Sequence, residues 1–155
     1  MRVHIGSDHA GFEAKGALVR SLAARGHEVV DHGPHEYDAL DDYPHFCLTT
    51  GAAVASDPGS LGIVLGGSGN GEQIAANKVD GVRAALVWSE EIARLAREHN
   101  DANVMSLGAR MHAQDELLAF VEAFLATPFS GDARHIRRIG QLTDYERTSR
   151  VPPLR

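Results

Sequence analysis

A short apolar run, Leu61-Gly62-Ile63-Val64-Leu65, passes straight into Gly66-Gly67-Ser68-Gly69-Asn70-Gly71-Glu72, and a helical stretch over residues 73–78 follows. A continuous apolar run bounded by turn signals is what a strand covered on both faces requires. A strand handing over to a helix at its end belongs to a parallel, alternating α/β arrangement, because the helix carries the chain back to start the next strand. The glycines leave main-chain N–H groups open at the positive end of a helix dipole, a place that favours an anion. This turn ends in a carboxylate, Glu72. An amide cradle beside an acid points to proton transfer on an anionic intermediate more than to storage of a phosphate.

The remaining chain repeats the alternation. Strand patterns fall at residues 3–7, 28–31, 61–65, 84–88 and 103–107. Helical spacing falls at 10–24, 43–55, from the glycine turn to about 79, 90–98 and 115–126, and a last helix starts at Asp132. Gly26 is a helix stop, Ser89 is an N-cap, and residues 32–43 read as a polar loop. The expected fold is a three-layer α/β/α arrangement around a mostly parallel five-stranded sheet. The expected organisation is one domain over 1–155, with a C-terminal helix and tail from about 132. Such sheets bind ligands beyond the carboxyl ends of their strands, where strand order switches. Three polar motifs lie at strand ends: Asp8-His9, the glycine turn, and Gly108-Ala109-Arg110.

Composition narrows the function classes. A formal net charge of −6 makes nucleic acid an unsuitable partner for the surface as a whole. The sequence has no apolar run long enough to span a bilayer, and its first residues lack a signal-peptide layout, so a cytoplasmic protein is expected. A single cysteine, Cys47, excludes an intrachain disulfide. It sits among apolar residues at mid-helix and reads as core. Lysine occurs only at Lys15 and Lys78, whereas arginines crowd the last stretch. Arg134 and Arg138, four apart on the last helix, share a face. They are either a solvated surface or a clamp that binds phosphate bidentately.

The cofactor readings of the glycine turn are poor. A dinucleotide fingerprint needs a glycine where Glu72 stands, and a phosphate-binding loop of the nucleoside triphosphatases needs lysine where it stands. Glu72 is either a helix-dipole residue or a general base kept ionised beside an oxyanion hole. Ser68 is either a turn residue bonding its own backbone or a hydroxyl donor to that oxyanion. Asp8 and His9 are an N-cap and a surface histidine, or together contact a sugar hydroxyl and a phosphate. His99 closes a helix, where the dipole favours it, and is also suited to moving a proton near neutral pH. The run from His32 to His35 lacks a second ligand pair, so no metal is expected.

These motifs, with Gly6-Ser7-Asp8-His9-Ala10-Gly11, residues 74–78, His99-Asn100-Asp101-Ala102-Asn103 and Leu107-Gly108-Ala109-Arg110, resemble the B-type ribose-5-phosphate isomerases and the related galactose-6-phosphate isomerase subunits. The resemblance runs over nearly the whole chain. It implies a Rossmann-like fold and interconversion of ribose 5-phosphate and ribulose 5-phosphate through an enediolate, without metal or organic cofactor. One branch of that family uses a cysteine just before the turn, where this chain has Gly66. The other uses a glutamate in the place of Glu72, so the resemblance makes Glu72 the base. It makes Gly67, Ser68, Gly69, Asn70 and Gly71 the anion hole, His99 the ring-opening residue with Asp8 as helper, and Asn100 a ligand of substrate oxygen. His9, Arg110, Arg134 and Arg138 match phosphate positions. A homodimer or tetramer is implied, with His99, Asn100 and Arg110 reaching the partner chain's site. The same chemistry on a six-carbon sugar such as allose or galactose 6-phosphate, and a non-catalytic nucleotide or sugar-phosphate-binding module, are the alternatives.

Overall fold

The computed structural model describes residues 1–154. In chain order the elements are β1 (Arg2–Ser7), a 3₁₀ turn (His9–Gly11), α1 (Phe12–Ala24), β2 (Glu28–Asp31), α2 (Tyr43–Ser56), β3 (Leu61–Gly66) and α3 (Asn70–Ala76). They continue with β4 (Ala84–Val87), α4 (Glu90–Asn100), β5 (Val104–Gly108), α5 (Gln114–Ala126) and α6 (Ala133–Thr148). The five strands form one sheet in the order β2-β1-β3-β5-β4, and every neighbouring pair is parallel. The α/β/α layering expected from the alternation is what the chain adopts.

Side-chain alternation along the buried strands builds a core on each face. Ile63, Leu65, Met105 and Leu107 face α1, α4 and α5, where Leu18, Leu22, Leu117, Val121 and Phe124 complete the packing. Val64 and Val104 face the other way and meet Cys47 and Val54 of α2 and Ala75 and Ala76 of α3. Two glycines on that second side let α2 come close. A Cβ on Gly6 would overlap the Thr50 hydroxyl, and one on Gly62 would stand 2.7 Å from Val54.

The strand order sets the site. From β1 the chain moves outward to β2, then returns across β1 to place β3 on its other side. The switch point therefore lies between the carboxyl ends of β1 and β3, where Asp8-His9 and the glycine turn emerge.

Element ends differ from the sequence expectation at α3 and β4, among others, and the structure also sets the end of α6. Helix α3 stops at Ala76, short of residue 79, because the Asn77 side chain leaves the helix to bond β4: its Oδ1 accepts from Ala84 N at 2.8 Å and its Nδ2 donates to Ala84 O at 2.9 Å. Strand β4 ends at Val87, and Trp88 stands outside it, exposed. Helix α6 continues through Tyr145 to Thr148 before Ser149 takes a left-handed conformation.

Candidate active site

The glycine turn is held open by its surroundings. Gly69 adopts φ 83°, the left-handed region, and a Cβ there would stand 2.7 Å from Leu86 and 2.9 Å from the Leu107 carbonyl carbon. Ser106 Oγ donates to Gly69 O at 2.6 Å, tying the turn to β5. On the other side Tyr43 packs so closely that a Cβ on Gly71 would meet its ring at 2.8 Å. The amides at the start of α3 are thus fixed before any ligand arrives, which is what a preorganised anion cradle needs.

Glu72 folds back into this cradle. Its carboxylate lies over the Cα of Gly66, so that a Cβ on Gly66 would overlap both the carboxyl carbon and Oε1. The side chain is buried. Burial drives its pKa upward from the ordinary glutamate value and the nearby Asp8 charge adds to this, while hydrogen bonds from the Glu72 and Gly69 main chain pull the other way. A carboxyl raised by burial yet still served by amides is suited to taking and returning a proton near neutral pH. Gly66→Ala should therefore leave the strand in place, since alanine is tolerated there conformationally, but displace the carboxylate. The expected outcome is a fall in kcat larger than any change in KM, read by steady-state kinetics alongside an unchanged far-ultraviolet circular dichroism spectrum.

Ser68 is exposed, and its Oγ accepts from Asn70 N at 3.3 Å and Asn70 Nδ2 at 3.2 Å. Both sequence readings of Ser68 are thereby compatible, because its own O–H remains a donor. Asp8 is buried, and its Oδ1 caps the 3₁₀ turn by accepting from Ala10 N at 2.9 Å and Gly11 N at 3.2 Å. The turn packs on the β3 end, where a Cβ on Gly11 would stand 2.8 Å from Leu65.

His9 carries a partner that sequence reasoning missed. Asp41 Oδ1 accepts from both His9 N and His9 Nδ1, each at 2.8 Å. That bond raises the His9 pKa above the ordinary histidine value. Partial desolvation works against it, Asp8 and the Asp41 charge add to it, and Arg110 opposes it. One atom each from Asp8, His9 and Asp41 lies within 4.8 Å of the others. Since Nδ1 is already committed to Asp41, the group is an ion pair first and a ligand set second.

Arg110 N donates to Gly67 O at 3.1 Å, and its guanidinium lies beside Gly67, with Nη1 3.7 Å from where a Cβ would stand. Because β5 neighbours β3, the loop after β5 delivers Arg110 to its own chain's turn.

His99 and the C-terminal arginines form a second group. The left-handed Asp101, at φ 44°, ends α4 and is held by Arg97 at 2.8 Å and Arg83 at 3.2 Å. His99, in the last turn of α4, stacks on the buried His135 of α6 with ring centroids 4.4 Å apart and planes 13° apart. Arg134 Nε donates to His135 Nε2 at 3.2 Å, and Arg134 and Arg138 both lower the His135 pKa, after burial, which is the leading cause. Among the described residues no hydrogen bond joins His99, Arg134 or Arg138 to the glycine turn. Asn100 gives its main-chain oxygen to Arg83 Nε at 3.0 Å. Cys47 is buried under the site, and burial, reinforced by Glu72 and Asp8, pushes its thiol up, so it is held as a neutral core thiol.

A parallel sheet with a carboxylate folded into an amide cradle at its switch point defines an α/β protein equipped for acid–base chemistry on a small anion. A family model described as Ribose/Galactose Isomerase matches residues 3–142, and the chain belongs to that family. Ribose-5-phosphate isomerase B of Mycolicibacterium paratuberculosis is 57% identical over 154 residues, covering 99% of this chain and 97% of the relative. The protein of the same name from Mycobacterium tuberculosis is 56% identical over 154 residues, covering 99% and 95%. Among solved structures, ribose-5-phosphate isomerase B of Mycoplasma genitalium with bound ribulose-5-phosphate superposes with a TM-score of 0.92 at 42% identity, over 95% of this chain and 97% of that one.

Proposed function

We propose that this protein interconverts ribose 5-phosphate and ribulose 5-phosphate, with Glu72 as the base that moves one proton between C2 and C1. The observation that carries the reading is the Glu72 carboxylate, buried and folded over Gly66 beside fixed main-chain amides. The relatives named above, and the ribulose 5-phosphate bound in the Mycoplasma genitalium neighbour, support the choice of sugar.

In the proposed sequence, His99 with Asp8 opens the furanose by moving a proton from the anomeric hydroxyl to the ring oxygen. Glu72 then takes the proton from C2 of the open aldehyde, and the electron pair moves to the carbonyl oxygen to give an enediolate. That oxygen lies on the amides of Gly67 to Gly71, with Ser68 O–H and Asn70 alongside, and Asn100 binds a substrate hydroxyl. Glu72 returns the proton to C1, and the hydroxyl proton at C2 passes to the oxygen on C1, so atoms and charge balance. His9 and Arg110 bind the phosphate from the turn's own chain, and Arg134 and Arg138 reach it from a second subunit. Remote binding of the phosphate orients the reacting carbons. A homodimer or tetramer in the cytoplasm is the setting this implies.

The test is exchange of the C2 hydrogen. Ribose 5-phosphate deuterated at C2, incubated with the protein in metal-free water, should lose label to solvent with formation of ribulose 5-phosphate. Tight binding without loss of label would instead identify a non-catalytic sugar-phosphate module. The family's description also names galactose, so kcat/KM should be compared on ribose 5-phosphate and on allose and galactose 6-phosphates. Preference for a six-carbon sugar would reassign the substrate and leave the proton transfer intact.

A further inference from the structure

His9 sits at the mouth of the switch point with its side chain about a quarter exposed, while Asp41, from the polar segment before α2, is nine-tenths buried behind it. One oxygen of Asp41 receives two bonds from His9, main chain and ring, both at 2.8 Å. The other, Oδ2, is buried without a hydrogen-bond partner among the described residues. A desolvated carboxylate in that state depends on its cationic neighbour for compensation. The groups that face His9 are Asp8 from its own turn, at 4.0 Å, Asp41 from the loop, and Arg110 from the segment after β5. Two acids and one base favour the imidazolium. With Nδ1 fixed on Asp41, Nε2 is the ring nitrogen left to meet a ligand.

We propose that Asp41 is the positioning residue that makes His9 a fixed cationic donor, with Nε2–H presented to the phosphate of the substrate. The proposal rests on the sugar-phosphate reading above. Its consequence is that the phosphate keeps its cationic partner to a higher pH than a histidine without Asp41 would allow.

The decisive variant is Asp41→Asn. Its side-chain oxygen can still accept from His9 N and Nδ1, so the loop stays pinned and only the negative charge is lost. KM for ribose 5-phosphate, the inhibition constant of inorganic phosphate, and the His9 ring signals in nuclear magnetic resonance should be followed against pH for wild type and variant. The variant's His9 should titrate at lower pH. Above that midpoint its KM should rise relative to wild type and level off about ten- to a hundredfold higher, the worth of one charge-assisted hydrogen bond beside the contacts of Arg110, Arg134 and Arg138, while kcat at saturation holds. Ionisation of the sugar phosphate itself is common to both proteins and cancels in the ratio. Asp41→Glu should restore much of the wild-type profile. Superimposable KM profiles and His9 titrations would overturn the proposal, as would a loss of kcat at every pH with KM unchanged, which would mark Asp41 as a structural pin. If the wild type turned over no sugar phosphate, the isomerase reading would fail, and the inorganic phosphate and His9 titrations would still decide the role of Asp41.

Discussion

Glu72→Gln should fold, bind sugar phosphate, and lose about 10²–10⁴ of its turnover, the range typical of a positioned acid–base group. Glutamine preserves the shape that fills the space over Gly66 and can still accept from the amides, but it takes no proton at C2. Stability gives the result a second reading. The buried Glu72 carboxyl is raised in the folded state, so the folded protein holds that proton more tightly than the unfolded chain. Such a group contributes stability below the unfolded pKa and loses it as pH rises through the folded pKa. At neutral pH the ionised acid is therefore a cost, and Glu72→Gln should melt no lower than wild type, as calorimetry would record. A melting point well below wild type would mean that the carboxylate holds the turn together, and a dead enzyme would then say nothing about a base. The same shift sets the pH profile. The active form is the carboxylate, so kcat/KM should fall on the acid side with a midpoint above the ordinary glutamate value of 4.5. Near-normal turnover in the variant would remove Glu72 from the chemistry.

The parts of this site legible in the sequence are those whose local pattern has few other uses. A glycine-rich turn between an apolar strand and a helix exposes amides at a helix N-terminus, so the cradle and the place of Glu72 were readable from residues 61–78. Asp8-His9 was readable because it follows a strand directly. Asp41 was not: it is one of three aspartates among residues 38–42, in a stretch with no periodicity. Only the path of the loop across the 3₁₀ turn singles it out, and the one available signal was the cluster of acids itself. Asn77 was hidden for a related reason, since helical spacing continues past it while its side chain bonds β4. His135 follows Arg134 on the last helix, and nothing in its local sequence marks it as buried. Its burial comes from the packing of α6 on α4, a contact between elements that sequence periodicity does not specify. The place of Arg110 beside its own chain's turn was not readable, because the sequence does not give the strand order. Once β5 neighbours β3, Arg110 must lie beside Gly67.

Two inactive variants, mixed, should recover activity. Glu72 stands in the glycine turn with His9 and Arg110, whereas His99 stacks on His135 of α6, flanked by Arg134 and Arg138. If each site is completed by the second group from a neighbouring copy, a mixed dimer of Glu72→Gln and His99→Asn has one site carrying both substitutions and one carrying neither. Closed twofold symmetry with random exchange makes half the dimers mixed, so about a quarter of wild-type turnover should return. Each variant alone should be down about 10²–10⁴ on the ring form of the sugar. The comparison is made by refolding the two together, assaying at equal total protein, and repeating with either variant refolded alone. A site built within one chain gives the opposite result. Every chain in the mixture then carries one lesion in its own site, and no recombination of subunits repairs it. Recovery near a quarter would place the ring-opening histidine across an interface from the base. Absence of recovery, with mixed dimers demonstrated by mass spectrometry, would place them in one chain and would require α4 and α6 to close over the turn of their own subunit.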